Sequence, residues 1–464
     1  MFPTRLLVLT LVVVLTCQRA AAQDAGTRRY QANPADEDWS FLATAPDVDP
    51  WDPVKYIPLG QRDGWFATLS GEIRYRPEGF RIRPTETRPS TVDNYLLQRY
   101  LFGSDFHLGA HSRVFVEVQS GIINGSVRSP RPTDQNRVDL HQAFYGWQVV
   151  RSNGHRFSID VGRQELAVGS TRLISASPGL NVKRSFDGLE ASYRSPSWTV
   201  AGAFARLVAV DGGVFDDRSS VHQPFWGIAA SRRSPRFQRG DLGGYYLGID
   251  RPLSLYQQGI GPERRHTLGL KWTGAGTRLD LNYDALFQWG RFADAPIRAW
   301  AFATESGYRL MLTGWKPRVS VRADFATGDR DAADPELNAF NPLFPGNSYS
   351  GAVGLFGPTN LTDLTPSLTV TPAANLVVGF EVPSYWRTST ADGVYATDQR
   401  LLLRPDVGEG KYVGTNPGIL VIWQATRHLQ VQGAITRFLA GRFLENTFVA
   451  PGFGFYSASG VYRF

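Results

Sequence analysis

Between residues 278 and 290 the chain alternates in chemistry with almost every step. Leu279, Leu281, Tyr283, Ala285, Phe287 and Trp289 fall on one side, and Asp280, Asn282, Asp284 and Gln288 on the other. Successive side chains of a strand point to opposite faces, so this is a strand with one apolar and one polar face. The pattern returns at 315–325, where Trp315, Val319, Val321, Ala323 and Phe325 oppose Lys316, Arg318, Ser320, Arg322 and Asp324. It returns at 64–76 and at 113–119, with Val114, Val116 and Val118 against Arg113, Glu117 and Gln119. Runs of roughly 9–13 residues exceed the usual strand of about 5–6 and match the ~9–11 that cross a bilayer. A sandwich with a solvated outer face also alternates. Strand length, and the Trp, Tyr and Phe that end the apolar faces, favour lipid as the neighbour of the apolar side.

The N-terminus is consistent with export. Arg5 precedes an apolar run from Leu6 to Leu15, and Ala20, Ala21 and Ala22 provide a small-residue cleavage site. Residues 1–22 therefore read as a secretory signal peptide. The single cysteine, Cys17, lies inside it. Acylation of Cys17 is the alternative, but Thr16 is a poor residue before a lipoprotein cysteine. Beyond this leader no stretch is apolar and long enough for a membrane helix. Removing Arg5 and Arg19 with the leader leaves 47 Lys and Arg against 42 Asp and Glu. That balance gives no reason to expect a nucleic-acid partner. It puts charge of both signs into the lumen, the loops and the rims.

Residues 23–62 read as an irregular, solvated segment on the periplasmic side, because prolines and acids there oppose regular structure. DVDPWD at 47–52 looks like part of a calcium loop but lacks the glycine turn and the distant Glu. Strands follow from about 63 to 464. SPS at 195–197 and GAG at 274–276 are tight turns; 122–137, 208–224 and 327–351 are long, and these are the outer-loop candidates. At the far end Tyr456, Ala458, Gly460, Tyr462 and Phe464 alternate with Ser457, Ser459, Val461 and Arg463. A two-faced strand that closes on an aromatic resembles the signal read by the outer-membrane assembly machinery. The fold expected is thus all-β, an antiparallel transmembrane β-barrel in outer-membrane lipid.

Two strands and a charged loop at 157–193 carry more. Phe157, Ile159 and Val161 share one strand face, and Leu189, Ala191 and Tyr193 share another. The loop between them holds Arg172, Lys183, Arg184 and Asp187. Its motifs, GRQ at 162–164, G-x-x-R-L-I at 169–174 and N-x-x-R-S-F-D-G at 181–188, resemble the core of the alginate-export family of bacterial outer-membrane porins. SVRADFATGDRD at 320–331, FNPLFPGNSYSG at 340–351 and, less distinctively, QRYLFGSDFHLGAHSRVFVEVQSG at 98–121 fit the same family. The resemblance spans about 63 to 464. It implies 18 strands and a channel for an anionic or polar solute, without naming alginate as that solute, and it leaves open which loops fold into the pore.

Enzyme chemistry finds no purchase. GNSYSG at 346–351 lacks the spacing of a nucleophile elbow and sits in a Pro-rich loop. His107 and His111 share a strand face about 13 Å apart, too far for one metal. No cofactor is implied. The candidates are instead lumen charges: Arg74, Arg99, Arg163, Arg318 and Arg322 on faces assigned inward, with Arg184, Lys183, Asn181 and Asp187 in the charged loop. Most such charges are expected to pair with Glu72, Glu117, Asp160, Asp280, Asp284 and Asp324. A sharper expectation is that Arg163, Arg184 and Arg322 form a constriction for an anion, since charged rings set pore selectivity and a guanidinium grips carboxylates bidentately. Asn181 and Asp187 are more readily caps of the loop than ligands for sugar hydroxyls. The expected function is passive transport of a polyuronate or smaller organic anion by a monomer. The competing class is a closed barrel serving as an enzyme or adhesion scaffold.

Overall fold

The computed structural model describes residues 28–46, 48–82, 91–151, 153–234, 240–311, 314–331, 333–346, 353–447 and 451–464. The expected signal peptide and the tail of the 340–351 motif lie outside these. Eighteen antiparallel strands close into one barrel. They are β1 (Trp65–Ile82), β2 (Thr91–Leu108), β3 (Ser112–Asn124), β4 (Asn136–Val150), β5 (Arg156–Gln164) and β6 (Phe186–Arg194). Next come β7 (Trp198–Ala209), β8 (Arg218–Ser234), β9 (Gly240–Tyr256), β10 (Gly259–Ala275), β11 (Leu279–Phe292) and β12 (Ala295–Arg309). The last six are β13 (Arg318–Ala326), β14 (Leu361–Ala373), β15 (Leu376–Glu381 and Ser384–Arg387), β16 (Tyr412–Thr415 and Gly418–Gln424), β17 (Leu429–Ala440) and β18 (Gly452–Arg463). β15 and β16 are each interrupted at a proline, Pro383 and Pro417, which has no N–H to give the ladder. β18 pairs with β1 from Glu72↔Arg463 to Ile82↔Phe453, so no edge is left open.

The outer face follows the alternation. Phe102, Leu270, Phe287 and Val321 are exposed, while their neighbours Leu101, Gly269, Gln288 and Ser320 turn inward or are covered. The inner face departs from it. Tyr245, Leu247 and Ile249 of β9, Leu286 of β11, and Ala299 and Ala301 of β12 point inward yet are apolar and buried. They are covered from inside the barrel. Leu166, Val168, Leu173 and Ile174 of the 165–185 connection pack on this wall together with Phe340, Leu343 and Phe344. Both connections therefore fold into the lumen and bury an apolar core there.

At one end every connection has eight residues or fewer, and by the rule for bacterial barrels that end is periplasmic. Long connections at the other end are 125–135, 165–185, 210–217, 327–360, 388–411 and 441–451. β8 starts at Arg218, so the loop expected at 208–224 is shorter than its composition suggests.

The described residues that precede β1, expected to be solvated, are docked on the barrel. Trp39 is buried, its indole Nε1 donates to Glu37 at 2.7 Å, and Lys55 Nζ lies 3.4 Å from Glu37. Burial pushes the Glu37 carboxyl up and the Lys55 ammonium down, while each opposes the other's shift. Thr68 Oγ1 of β1 donates to Lys55 O at 2.8 Å, and Trp51 stacks on Phe464. The tip at 32–35 reaches the lumen, where Arg113 of β3 donates to Ala35 O at 2.7 Å and Gln142 of β4 to Asn33 Oδ1 at 2.9 Å.

Candidate functional site: the lumen and the segments that cross it

Residues 165–185 form a chord between opposite walls. One anchor lies on β1 and β2. Arg99 donates to Pro178 O at 2.8 Å and Leu180 O at 2.7 Å, Arg74 to Gly179 O at 3.1 Å and Leu180 O at 2.7 Å, and Arg76 to Gly179 O at 2.6 Å. Asn181 completes this anchor: its Oδ1 accepts from Arg74 at 3.0 Å and its amide donates to Asp134 O at 2.8 Å. The other anchor lies on β11 and β13. Ser170 donates to Asp284 at 3.0 Å, and Arg172 bridges Asp284 and Asp324 at 3.2 Å each. Backbone carbonyls buried in a lumen need donors, and wall guanidiniums supply them.

A second segment, 337–346, runs beside the chord. Phe344 N donates to Leu173 O at 2.8 Å and Ser175 N to Phe344 O at 3.1 Å, a short parallel bridge. Arg265 of β10 donates to Ala339 O at 3.0 Å and Gln288 to Asn341 O at 2.7 Å, fixing it to the same wall. A pocket lies between this segment and the wall, lined among others by Arg172, Phe340, Pro345, Asp363 and Tyr385. Both segments lean on β6 to β13. The inward faces of β14 to β18 are mixed: Ser367, Thr369, Glu381, Gln430, Gln432 and Ser457 are polar and partly accessible, while toward the outer end Leu361, Tyr385, Phe438, Phe453 and Phe455 are buried in a second apolar core with Phe356, Val394, Phe443 and Leu444 of the connections. Arg318 and Arg322 of β13 stand at the border of that face.

A family model described as alginate export matches residues 66–450. The chain belongs to the alginate export family. No curated protein sequence matches it. A BenF-like porin from Pseudomonas fluorescens Pf-5 has a similar structure, with a TM-score of 0.57 at 10% identity over 86% of this chain and 98% of that one. OccK8 (OprE) of Pseudomonas aeruginosa gives 0.55 at 11% identity over 86% and 98%. OccK2 (OpdF) of Pseudomonas aeruginosa, solved in complex with glucuronate, gives 0.54 at 11% over 86% and 97%. At these identities the likeness is one of fold.

In this alginate-export barrel the expected constriction of Arg163, Arg184 and Arg322 does not assemble. Arg163 pairs with Asp187 across β5 and β6, Nε to Oδ1 at 2.7 Å, and the register puts both on the side of exposed Val161 and Leu189, not of the lumen. Arg184 donates to Ser175 O and Phe344 O at 2.8 Å each, joining the two segments. Lys183 is buried, ion-paired to Glu165, and donates to Ala32 O at 3.1 Å. Arg74, Arg99 and Asn181 are buried in the first anchor. Lys183, Arg184, Arg74, Arg99 and Asn181 thus hold the lumen segments in place. Arg318 and Arg322 keep the inward face: Arg318 pairs with Asp280 at 2.6 Å and Glu305 at 3.0 Å, and Arg322 approaches Asp363 at 3.6 Å and Asp324 at 3.7 Å.

Sequence reasoning named Arg172 only as a charge of the loop, not as a site residue, and passed over Asp363 and the 32–35 tip. A signal existed for the chord: Leu166, Val168, Leu173, Ile174 and Val182 are too many apolar residues for a solvated loop. Glu117, His141 and Glu165 also converge, with ligand atoms within 4.8 Å of one another. The Lys183 ammonium already satisfies Glu165 there. Burial raises the Glu165 carboxyl, but Lys183 and His141 outweigh it and hold it at about 2. A depressed carboxyl contributes stability above its unfolded value of about 4.3 that is lost as pH falls toward the folded value. Glu165→Gln should therefore lower the urea midpoint at pH 7, and the gap from wild type should close between about pH 4.5 and 2. A gap independent of pH would exclude the ion pair as its source.

Proposed function

We propose that this protein is a monomeric outer-membrane channel that passes a hydroxyl-rich, acidic solute, a uronate chain or a smaller sugar acid, without a cofactor. The observation that carries the reading is the stretch of polar inner wall that the two lumen segments leave uncovered. The segments bury their apolar faces on β6 to β13, and on β14 to β18, below the apolar core at the outer end, Ser367, Thr369, Gln430, Gln432 and Ser457 present hydroxyls and amides suited to sugar hydroxyls. Arg318 and Arg322 add guanidiniums that can pair with a carboxylate. Family membership supports the transport class.

Each of these arginines already faces carboxylates, so the anion preference is modest and recognition leans on the hydroxyl wall. The test is current through the purified protein in a planar bilayer. Glucuronate added to one side should reduce the chloride current, and Arg322→Ala should weaken that block and shift the reversal potential in a salt gradient toward cations. The shift should shrink at 1 M salt, where screening acts within about 3 Å. A cation-selective wild type, or an unaltered block in Arg322→Ala, would refute the assignment.

A further inference from the structure

At the outer end of the barrel, apart from the two lumen segments, three carboxylates meet. Asp139 belongs to β4, and Asp216 and Asp217 to the 210–217 connection; their ligand oxygens lie within 4.8 Å of one another. The backbone holds them there. Phe215 N donates to Val138 O at 3.0 Å, Asp217 N to Asp139 Oδ2 at 2.9 Å and Asp211 N to Asp217 Oδ1 at 2.8 Å. Phe215 adopts φ 50°, a left-handed conformation that a bulky residue rarely takes.

Carboxylates this close repel unless a cation lies among them. Arg163 approaches Asp139 to 3.8 Å, but its guanidinium is held on two oxygens by Asp187. A separate observation points to a ligand. Asn136 is 0% exposed and turned toward the cluster, its Nδ2 2.9 Å from Asp217 Oδ2, yet its Oδ1 has no hydrogen-bond partner. Asp216 Oδ1 is likewise buried without one. Buried oxygens are seldom left so, because the desolvation cost is not recovered.

The converging donors are three carboxylate oxygens, and Asn136, whose Nδ2 now donates to Asp217, adds its free Oδ1 when the amide turns over. That set selects a hard cation, and its arrangement on a surface connection suits the flexible shell of calcium better than the rigid octahedron of magnesium. We propose that Asp139, Asp216, Asp217 and Asn136 form a calcium site that clamps the 210–217 connection to the outer end of β4. Calcium from outside the cell reaches it directly.

Equilibrium dialysis of the folded, detergent-solubilised barrel against radioactive calcium chloride tests this. One calcium per barrel is expected, with Kd of about 0.1–1 mM, as in extracellular calcium modules. Asp216→Asn removes a ligand charge without removing a hydrogen bond to its Oδ1, and should weaken binding about tenfold or more. Arg163→Gln removes the nearby positive charge and should tighten binding, an effect that misfolding would not produce. Heat-modifiable migration verifies that each variant is folded. No binding at about 10 mM calcium, equal preference for magnesium, or unchanged affinity in Asp216→Asn would overturn the site.

Discussion

Arg99→Leu is expected to cost the folded barrel about 3–5 kcal/mol, the range for removing one member of a buried ion pair. Arg99 and Glu72 are 2% and 4% exposed, with Arg99 Nε 2.7 Å from Glu72 Oε1. Arg463 would still hold the other oxygen of Glu72 at 2.9 Å, which argues for the lower part of that range. Loss of the donors to Pro178 O and Leu180 O argues for the upper part, since Arg74 covers only the second at short range. The same change frees one end of the chord, so the open-channel current should become noisier. Urea titration in liposomes gives the first number and single-channel recording the second. A loss below about 1 kcal/mol with a quiet channel would mean that the chord does not depend on this anchor.

Val321→Arg is expected to cost about 2–4 kcal/mol, because it puts a charge on the lipid side of β13 near the middle of the strand. Ser457→Arg, which faces the lumen on β18 opposite Ala434, should cost under about 1 kcal/mol and instead shift selectivity toward anions. Ser320→Arg is a poorer control than its polar neighbours suggest. Ser320 Oγ is buried between Arg318 at 2.8 Å and Ser367 at 2.6 Å. Comparable losses for Val321→Arg and Ser457→Arg in urea titration would mean that the two faces are assigned wrongly.

The outer face was legible because lipid leaves one solution for a strand: every second residue apolar. Val321, Phe287 and Phe102 follow from that rule alone. The lumen was less legible because its neighbours are set by folded connections. Leu247 and Ile249 face inward against the simple alternation, and only the docked 165–185 segment explains them. Arg163 shows a different limit. It stands two residues from Val161 and shares its side of the sheet, yet its motif and charge suggested the lumen. Asp139, Asp216 and Asp217 are brought together by the bridge between Val138 and Val214, a long-range pairing that spacing in sequence does not reveal. Alginate-export membership was legible from motifs. Their residues, Arg172, Asn181, Lys183 and Arg184 among them, turn out to be those that hold the chord in place.

The one-sided passage is tested most directly by cysteine accessibility during conduction. With Cys17 changed to serine the chain has no other cysteine. Single cysteines at Ser457 and Thr369 would stand on the polar wall, and single cysteines at Ala203 and Ala301 under the two segments. A charged, membrane-impermeant thiol reagent added to a conducting bilayer should lower the current of Ser457→Cys and Thr369→Cys and leave Ala203→Cys and Ala301→Cys unchanged. Block at the alanine positions with none at Ser457 or Thr369 would place the passage on the other side of the chord, and a wild type that never conducts would contradict the channel altogether.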